Sequence, residues 1–164
     1  MTTAHTHDVH IDPRHLNSTY VQMVLDLCMK SAKAIPADKA TWKPDDGSAK
    51  SALDIVQHMV EVNHSIATYV RDNQPMSDAA KEVLKAQLTT YESALNELTS
   101  SSEALAQAYQ SVSDDRIKDA LQNLPEPNSL ARTMGVGIIH LTYHWGQLCY
   151  LQTLWNDQED HFLK

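Results

Sequence analysis

Two histidines four residues apart, His140 and His144, stand in the apolar run Gly135-Val-Gly137-Ile-Ile-His140-Leu-Thr-Tyr-His144-Trp-Gly146-Gln147. In a helix they are separated by about 40° and one turn, so both imidazoles face one way and can grip a single cation. They share that face with Gly137, Leu141, Leu148 and Leu151, which points it into the interior. An imidazole buried there without a partner costs free energy, and metal ligation would satisfy it. The same spacing also serves two histidines satisfied inside a core or paired on a surface. A facing helix must add a third ligand, and the second helix offers His58 and His64. His58 shares a stripe with Ile55, Val62, Ile66 and Tyr69 and faces the core, whereas His64 lies about 120° away and reads as solvated. Glu61, one turn after His58 on the polar margin of that stripe, could be a fourth ligand, an acceptor for a ligand's N–H, a base, or simply an exposed carboxylate.

Helices must position these groups. All six prolines lie at or outside the ends of apolar-periodic segments, and no run alternates with a period of two. The chain therefore reads as all-α with four helices and no sheet. The first begins at the N-cap Asp12 with Pro13 behind it and stops before Pro36. Its stripe is Leu16, Tyr20, Met23, Val24, Leu27, Ser31 and Ala34. A loop with Trp42 and Pro44 follows. The second helix opens at Ser51, whose spacing to Asp54 approximates a capping box, and runs to about Asp72. The third carries Leu84, Leu88, Tyr91, Leu95, Leu98, Leu105, Tyr109 and Val112 in steps of three and four, a bundle seam, with a bend expected at Ser100, Ser101 and Ser102. A short turn is expected around residues 117–121. The last helix spans about residues 129–155. Connections this short between long amphipathic helices describe a four-helix bundle.

Three of the four glycines fall in the last helix, where each costs about 1 kcal/mol relative to Ala. Gly137 leaves room beside the histidine site. Gly135 and Gly146 lie on the opposite face with Ile139, Thr142, Cys149 and Thr153, predicting close approach by another helix or a second subunit. The division expected is a His-rich arm at 1–11, a bundle domain at 12–156 and a polar tail at 157–164.

Composition narrows the partners. Thirteen Lys and Arg against 21 Asp and Glu leave 164 residues with a net charge of −8, which repels a phosphate backbone, so no nucleic-acid partner is expected. Cys28 and Cys149 make neither a disulfide framework nor a CxxC pair and read as free thiols in a reducing cytoplasm. No signal core and no membrane span is expected. No P-loop, G-x-S-x-G or H-E-x-x-H is present, and Gly135-x-Gly137 follows no strand, so it is no dinucleotide fingerprint. Cys149 lies about 140° from His144, the wrong side to ligate the same ion. His5, His7, His10 and His15 read as a mobile arm, although a His-rich tract can bind metal. His161 reads as exposed.

Trp42-Lys43-Pro44, then Ser51-Ala-Leu-Asp-Ile-Val-Gln-His58-Met, then His140-x-x-x-His144-Trp-Gly146-Gln147 resemble the DinB-like (DinB/YfiT) superfamily in order and spacing. The resemblance covers the first helix through the last. It implies a four-helix bundle, commonly a homodimer, with a divalent metal held by three histidines, here His58, His140 and His144. Three neutral imidazoles suit zinc first, with nickel or iron as alternatives, and zinc with three protein ligands keeps an open position of the catalytic kind. The family implies metal-dependent hydrolysis, or transfer and isomerisation using a low-molecular-weight thiol, on a small molecule. The competing readings are a non-catalytic dimeric module that binds metal or a small ligand, with a role in a stress response as one option, and histidines that have become purely structural.

Overall fold

The computed structural model describes residues 11–45, 47–122 and 129–163. His5, His7, His10, Pro125 and Pro127 lie outside them. The described residues form six α-helices and no strand: α1 Pro13–Lys33, α2 Ala52–Asp72, α3 Asp78–Gln87, α4 Tyr91–Gln110, α5 Asp114–Gln122 and α6 Leu130–Leu154, with short 3-10 turns at Ala37–Lys39 and His161–Leu163. None of these helices is long and apolar enough to cross a membrane.

Helix ends follow cap chemistry. Asp12 accepts from the Arg14 backbone N–H with Pro13 in the first turn, and Ser129 accepts from the Arg132 N–H, as the sequence predicts. At α2 the Ser51 hydroxyl accepts from the Asp54 N–H (3.1 Å) and the Asp54 carboxylate accepts from the Ser51 N–H (2.9 Å), a reciprocal box. The Lys43 ammonium lies 2.9 Å from the same carboxylate, and Trp42 meets Trp155 edge-on at 5.6 Å. The Trp42-Lys43-Pro44 loop is thereby tied both to the start of α2 and to the end of α6.

The expected third helix is two helices. Leu88 leaves helical geometry, the Gln57 side-chain amide donates to its carbonyl, and Thr90 and Ser93 cap each other to start α4. Its stripe nonetheless holds across the break: Leu84, Leu88, Leu95, Leu98, Leu105, Tyr109 and Val112 are all buried. Periodicity reports which side of the chain meets the core; local capping decides whether the backbone is continuous. α4 is continuous through Ser100, Ser101 and Ser102. Ser101 and Ser102 are buried because Asn63 of α2, fully buried itself, donates its amide to both hydroxyls, at 3.3 and 3.0 Å.

The four long helices pack in a ring, α2 on α4, α4 on α1, α1 on α6 and α6 on α2, with α3 against α2 and α5 against α6. Two faces differ from expectation. On α1 the core side is Val21, Leu25, Cys28 and Ala32, joined by Val24 and Ser31, whereas Leu16, Tyr20 and Met23 are exposed. On α6 a side chain at Gly135 or Gly146 would meet nothing within 4 Å among the described residues, so none of the described helices approaches there, and Ile139, Tyr143 and Tyr150 are each more than 60% exposed. Each of these helices has two apolar sides, and a period cannot rank them.

Gly137 does not leave space beside the histidines. A Cβ there would overlap the Tyr109 hydroxyl and lie 3.2 Å from Leu105 Cδ2. That hydroxyl, fully buried, donates to the Met134 carbonyl at 2.8 Å. Gly137 is thus the position where α4 seats a phenol against α6. Gly137→Ala is expected to destabilise the fold by about 1–3 kcal/mol through overpacking. Removing the obstructing hydroxyl with Tyr109→Phe should return part of that loss, so urea titrations should find the double variant more stable than the two single effects summed. Strict additivity would count against the close contact.

Candidate metal centre

His58 projects from the first half of α2, and His140 and His144 from the middle of α6 one turn apart. The α2–α6 packing brings the three together: one ring nitrogen from each lies within 4.8 Å of the others. Ring centroids are 5.0 Å (His58–His140), 4.9 Å (His58–His144) and 4.3 Å (His140–His144) apart. The sequence-expected triad is therefore assembled in space. Glu61 is outside this group; it is half-buried and lines a cavity of about 260 Å³ whose wall includes His58. Among the described residues no fourth His, Cys, Asp or Glu joins the three.

Hydrogen bonding orients the rings. Gln147 Oε1 lies 2.6 Å from His144 Nδ1, and the Gln147 amide nitrogen donates to the Tyr143 hydroxyl at 3.2 Å. With the amide so placed, its oxygen can only accept, so His144 carries its proton on Nδ1 and keeps the Nε2 lone pair available. His140 Nε2 and His58 Nε2 are 3.2 Å apart. Two imidazole nitrogens sharing a tetrahedral ion at ~2.0–2.1 Å would stand ~3.3 Å apart, nearly this spacing. His140 Nδ1 is buried with no hydrogen-bond partner. A buried donor without an acceptor is costly, and the cost is the kind tolerated where a ring is held for another purpose. The residues present fit a divalent cation.

Electrostatics keeps the rings neutral. Burial is the main cause in all three, lowering the basicity of His58, His140 and His144. His140 falls furthest, to about 4, with the neighbouring histidines and Lys50 adding to burial. Lys50 pushes His58 and His144 the same way; Glu61 opposes it at His58 and the Gln147 hydrogen bond opposes it at His144. Neutral imidazole is the form that ligates metal.

The remaining candidates lie elsewhere. His64 is not solvated: it pairs with Glu97 of α4 at 2.7 Å, both partly buried. His161, expected exposed, is partly buried and paired with Asp157 at 2.8 Å, while neighbouring Phe162 packs edge-on against Trp145. Cys149 points to Ser31 of α1 at 3.7 Å, away from the site. Cys28 is fully buried, and burial together with Cys149 pushes its thiol up to about 12. Gln147 stood in the quoted motif without a role; its place three residues after His144, on the same side one turn on, was the signal. Lys50, Lys81 and Lys85 gave no such signal, because only the packing of α3 against α2 puts the last two on the cavity.

Because folding lowers these pKa values, the unfolded chain takes up protons first as pH falls. The histidine contribution is fully present above about 6.5, the unfolded value, and is lost as pH drops toward 4. The melting temperature of metal-free protein should fall through that window, and His140→Leu should flatten the decline. Parallel curves for the two proteins would contradict the burial argument.

The family model described as the DinB superfamily matches residues 22–148, a span that contains all three histidines. No curated protein and no solved structure matches the chain. A match over most of the sequence, with the triad inside it, places the chain in the DinB superfamily.

Proposed function

We propose that this chain is a DinB-like metalloprotein whose His58, His140 and His144 hold one divalent ion, zinc first with nickel or iron as alternatives, in a four-helix bundle built from α1, α2, α4 and α6. We read it as acting on a small molecule, as a metal-dependent hydrolase or a thiol-dependent transferase. The observation that carries the reading is the 3.2 Å approach of two Nε2 atoms from different helices, with the third ring oriented by Gln147. When bound, an ion with three imidazole ligands supplies Lewis acidity at its remaining position and lowers the pKa of water or a thiol there. Gln147 holds His144 in the ligating tautomer, and Tyr143 holds Gln147. Glu61, on the wall it shares with His58, is the carboxylate placed to take a proton from a nucleophile in that cavity. Three ligands beside a cavity favour a small-molecule site over a closed structural one.

Metal analysis of purified protein tests this. One equivalent of ion is expected in the wild type and none in the triple His58, His140 and His144 to Ala variant. Gln147→Leu should weaken metal affinity by about 10–100-fold while leaving the helical signal intact. Equal metal in wild type and triple variant would remove the site assignment. A metal-loaded protein without turnover on hydrolysable or thiol-accepting probes would favour the alternative, a dimeric binding module without catalysis.

The exposed apolar face supports a homodimer. Leu16, Tyr20 and Met23 of α1 and Ile139, Tyr143 and Tyr150 of α6 lie on adjacent packed helices and face solvent. Such a patch on a single chain marks a contact surface, and an isologous two-fold pairing would cover it. Light scattering should give twice the chain mass for wild type and the single mass for Ile139→Glu/Tyr150→Glu. A monomeric wild type would refute the pairing. Two free cysteines, one of them buried, fit a reducing compartment such as the cytoplasm.

A further inference from the structure

Two cavities lie along α2, the first of them beside His58. The first, about 260 Å³, lies between α2 and α3, with His58 and Glu61 on one wall and Lys81 and Lys85 on the other. The second, about 480 Å³, is walled by Ile66, Tyr69, Pro75, Met76 and Thr133, and Lys81 lines both. His58 and Ser65, which also lines the second cavity, are seven residues apart on α2, or about 10 Å along its axis. The two spaces therefore run end to end along α2, cationic at the histidine end and largely apolar at the other.

The charge is unusual for a chain carrying −8. Asp54, on the first cavity, is already engaged by the Lys43 ammonium and the Ser51 N–H, each at 2.9 Å. Lys81 contacts Asp78 at 3.2 Å, but Asp78 is 97% exposed, so that pair is solvent-screened and weak. Lys85 stands beside it on the wall, and the charge of Lys50 reaches all three imidazoles. With Asp54 engaged by Lys43, the two lysines on the wall face one remaining carboxylate, Glu61, and neutral histidines add no negative charge. An excess of one sign of charge in a cleft concentrates ligands of the other.

Resting on the metal-site reading above, we propose that this groove selects a monocarboxylate with an apolar body. Its carboxylate sits between the histidine site and Lys81 and Lys85, and its chain lies along Ile66, Tyr69, Pro75 and Met76. Lys81 and Lys85 are then specificity-determining residues, and α3 is the element that chooses the substrate.

Calorimetric titration of the full chain with octanoate, acetate and octylamine, with and without zinc and with metal content measured in each sample, tests the proposal. Each buried methylene adds about fourfold in affinity, so octanoate should bind at least tenfold tighter than acetate, and octylamine should not bind. Lys81→Gln/Lys85→Gln should weaken octanoate at least tenfold at unchanged metal content. Thr133→Trp, which fills the apolar end, should bring octanoate down toward acetate and leave acetate unaffected. No octanoate binding to wild type, equal octanoate affinity in wild type and the lysine variant, or octylamine binding as tightly as octanoate would each overturn the groove. A wild type that takes up no zinc would instead sink the metal reading, and the lysine dependence measured on the metal-free chain would then judge the groove by itself.

Discussion

Three imidazoles gathered in a partly buried space, one ring nitrogen of each within 4.8 Å of the others, are the constraint on which the molecule's organisation turns. Gathering them is unfavourable by itself: burial lowers the basicity of each ring, and one ring nitrogen of His140 is left without a partner. The surrounding helices must offset that cost by packing, and they must do so in one register, since a displacement of α6 against α2 by about one residue, 1.5 Å, would separate nitrogens that now stand 3.2 Å apart. Helix α4 contributes to both sides of that requirement without touching the ion site. Its Tyr109 seats into the gap at Gly137 on α6, and its Ser101 and Ser102 receive Asn63 from α2. A buried polar pair and a residue with no side chain thus hold the two ligand-bearing helices against a common neighbour.

Polarity is distributed in the same economical way. The buried Asn63 amide nitrogen is satisfied by the two serine hydroxyls, whereas its side-chain oxygen is buried without a partner. Around the histidines the protein sets cations against a strongly acidic background, and it ties one carboxylate of the cavity wall, Asp54, into a helix cap. That arrangement favours neutral rings and anionic ligands together, because positive charge nearby disfavours protonated imidazole and attracts carboxylate. The apolar surface of α1 and α6 is a separate matter. It borders the site at Tyr143, whose ring meets His144 edge-on at 4.9 Å and whose hydroxyl accepts from Gln147, so whatever covers that face also covers the outer support of the third imidazole.

Much of this was written in residue types. Asp12-Pro13, Ser51 with Asp54, and Ser129 marked helix starts because cap chemistry is local, made by atoms within three residues of one another. His140 and His144 followed from helical geometry, and His58 was separated from His64 by angle alone. The Thr90–Ser93 cap was equally local and equally readable, yet the unbroken Leu84-to-Val112 stripe overrode it, because α3 and α4 bury successive parts of one apolar series although the backbone turns between them.

What tertiary structure alone decided were relations between distant segments. Gly137 signalled close approach, but only packing named Tyr109 as what approaches, and so moved that glycine from the site to the core. Leu16, Tyr20 and Met23 are as apolar as Val21 and Leu25, and hydropathy has no term for which side another helix will occupy. The lysines of α3 share a cavity with His58 because that short helix packs against α2, a placement not set by any spacing within the chain. By itself the sequence determined that the chain is helical, where most of its helices start, and that His140 and His144 share one face, since these depend on neighbours in the chain. The distances between the three imidazoles, the ring made by α1, α2, α4 and α6, and the charge around the cavity were decided in space, where Ser31 and Gln152, 121 positions apart, come to share one hydrogen bond.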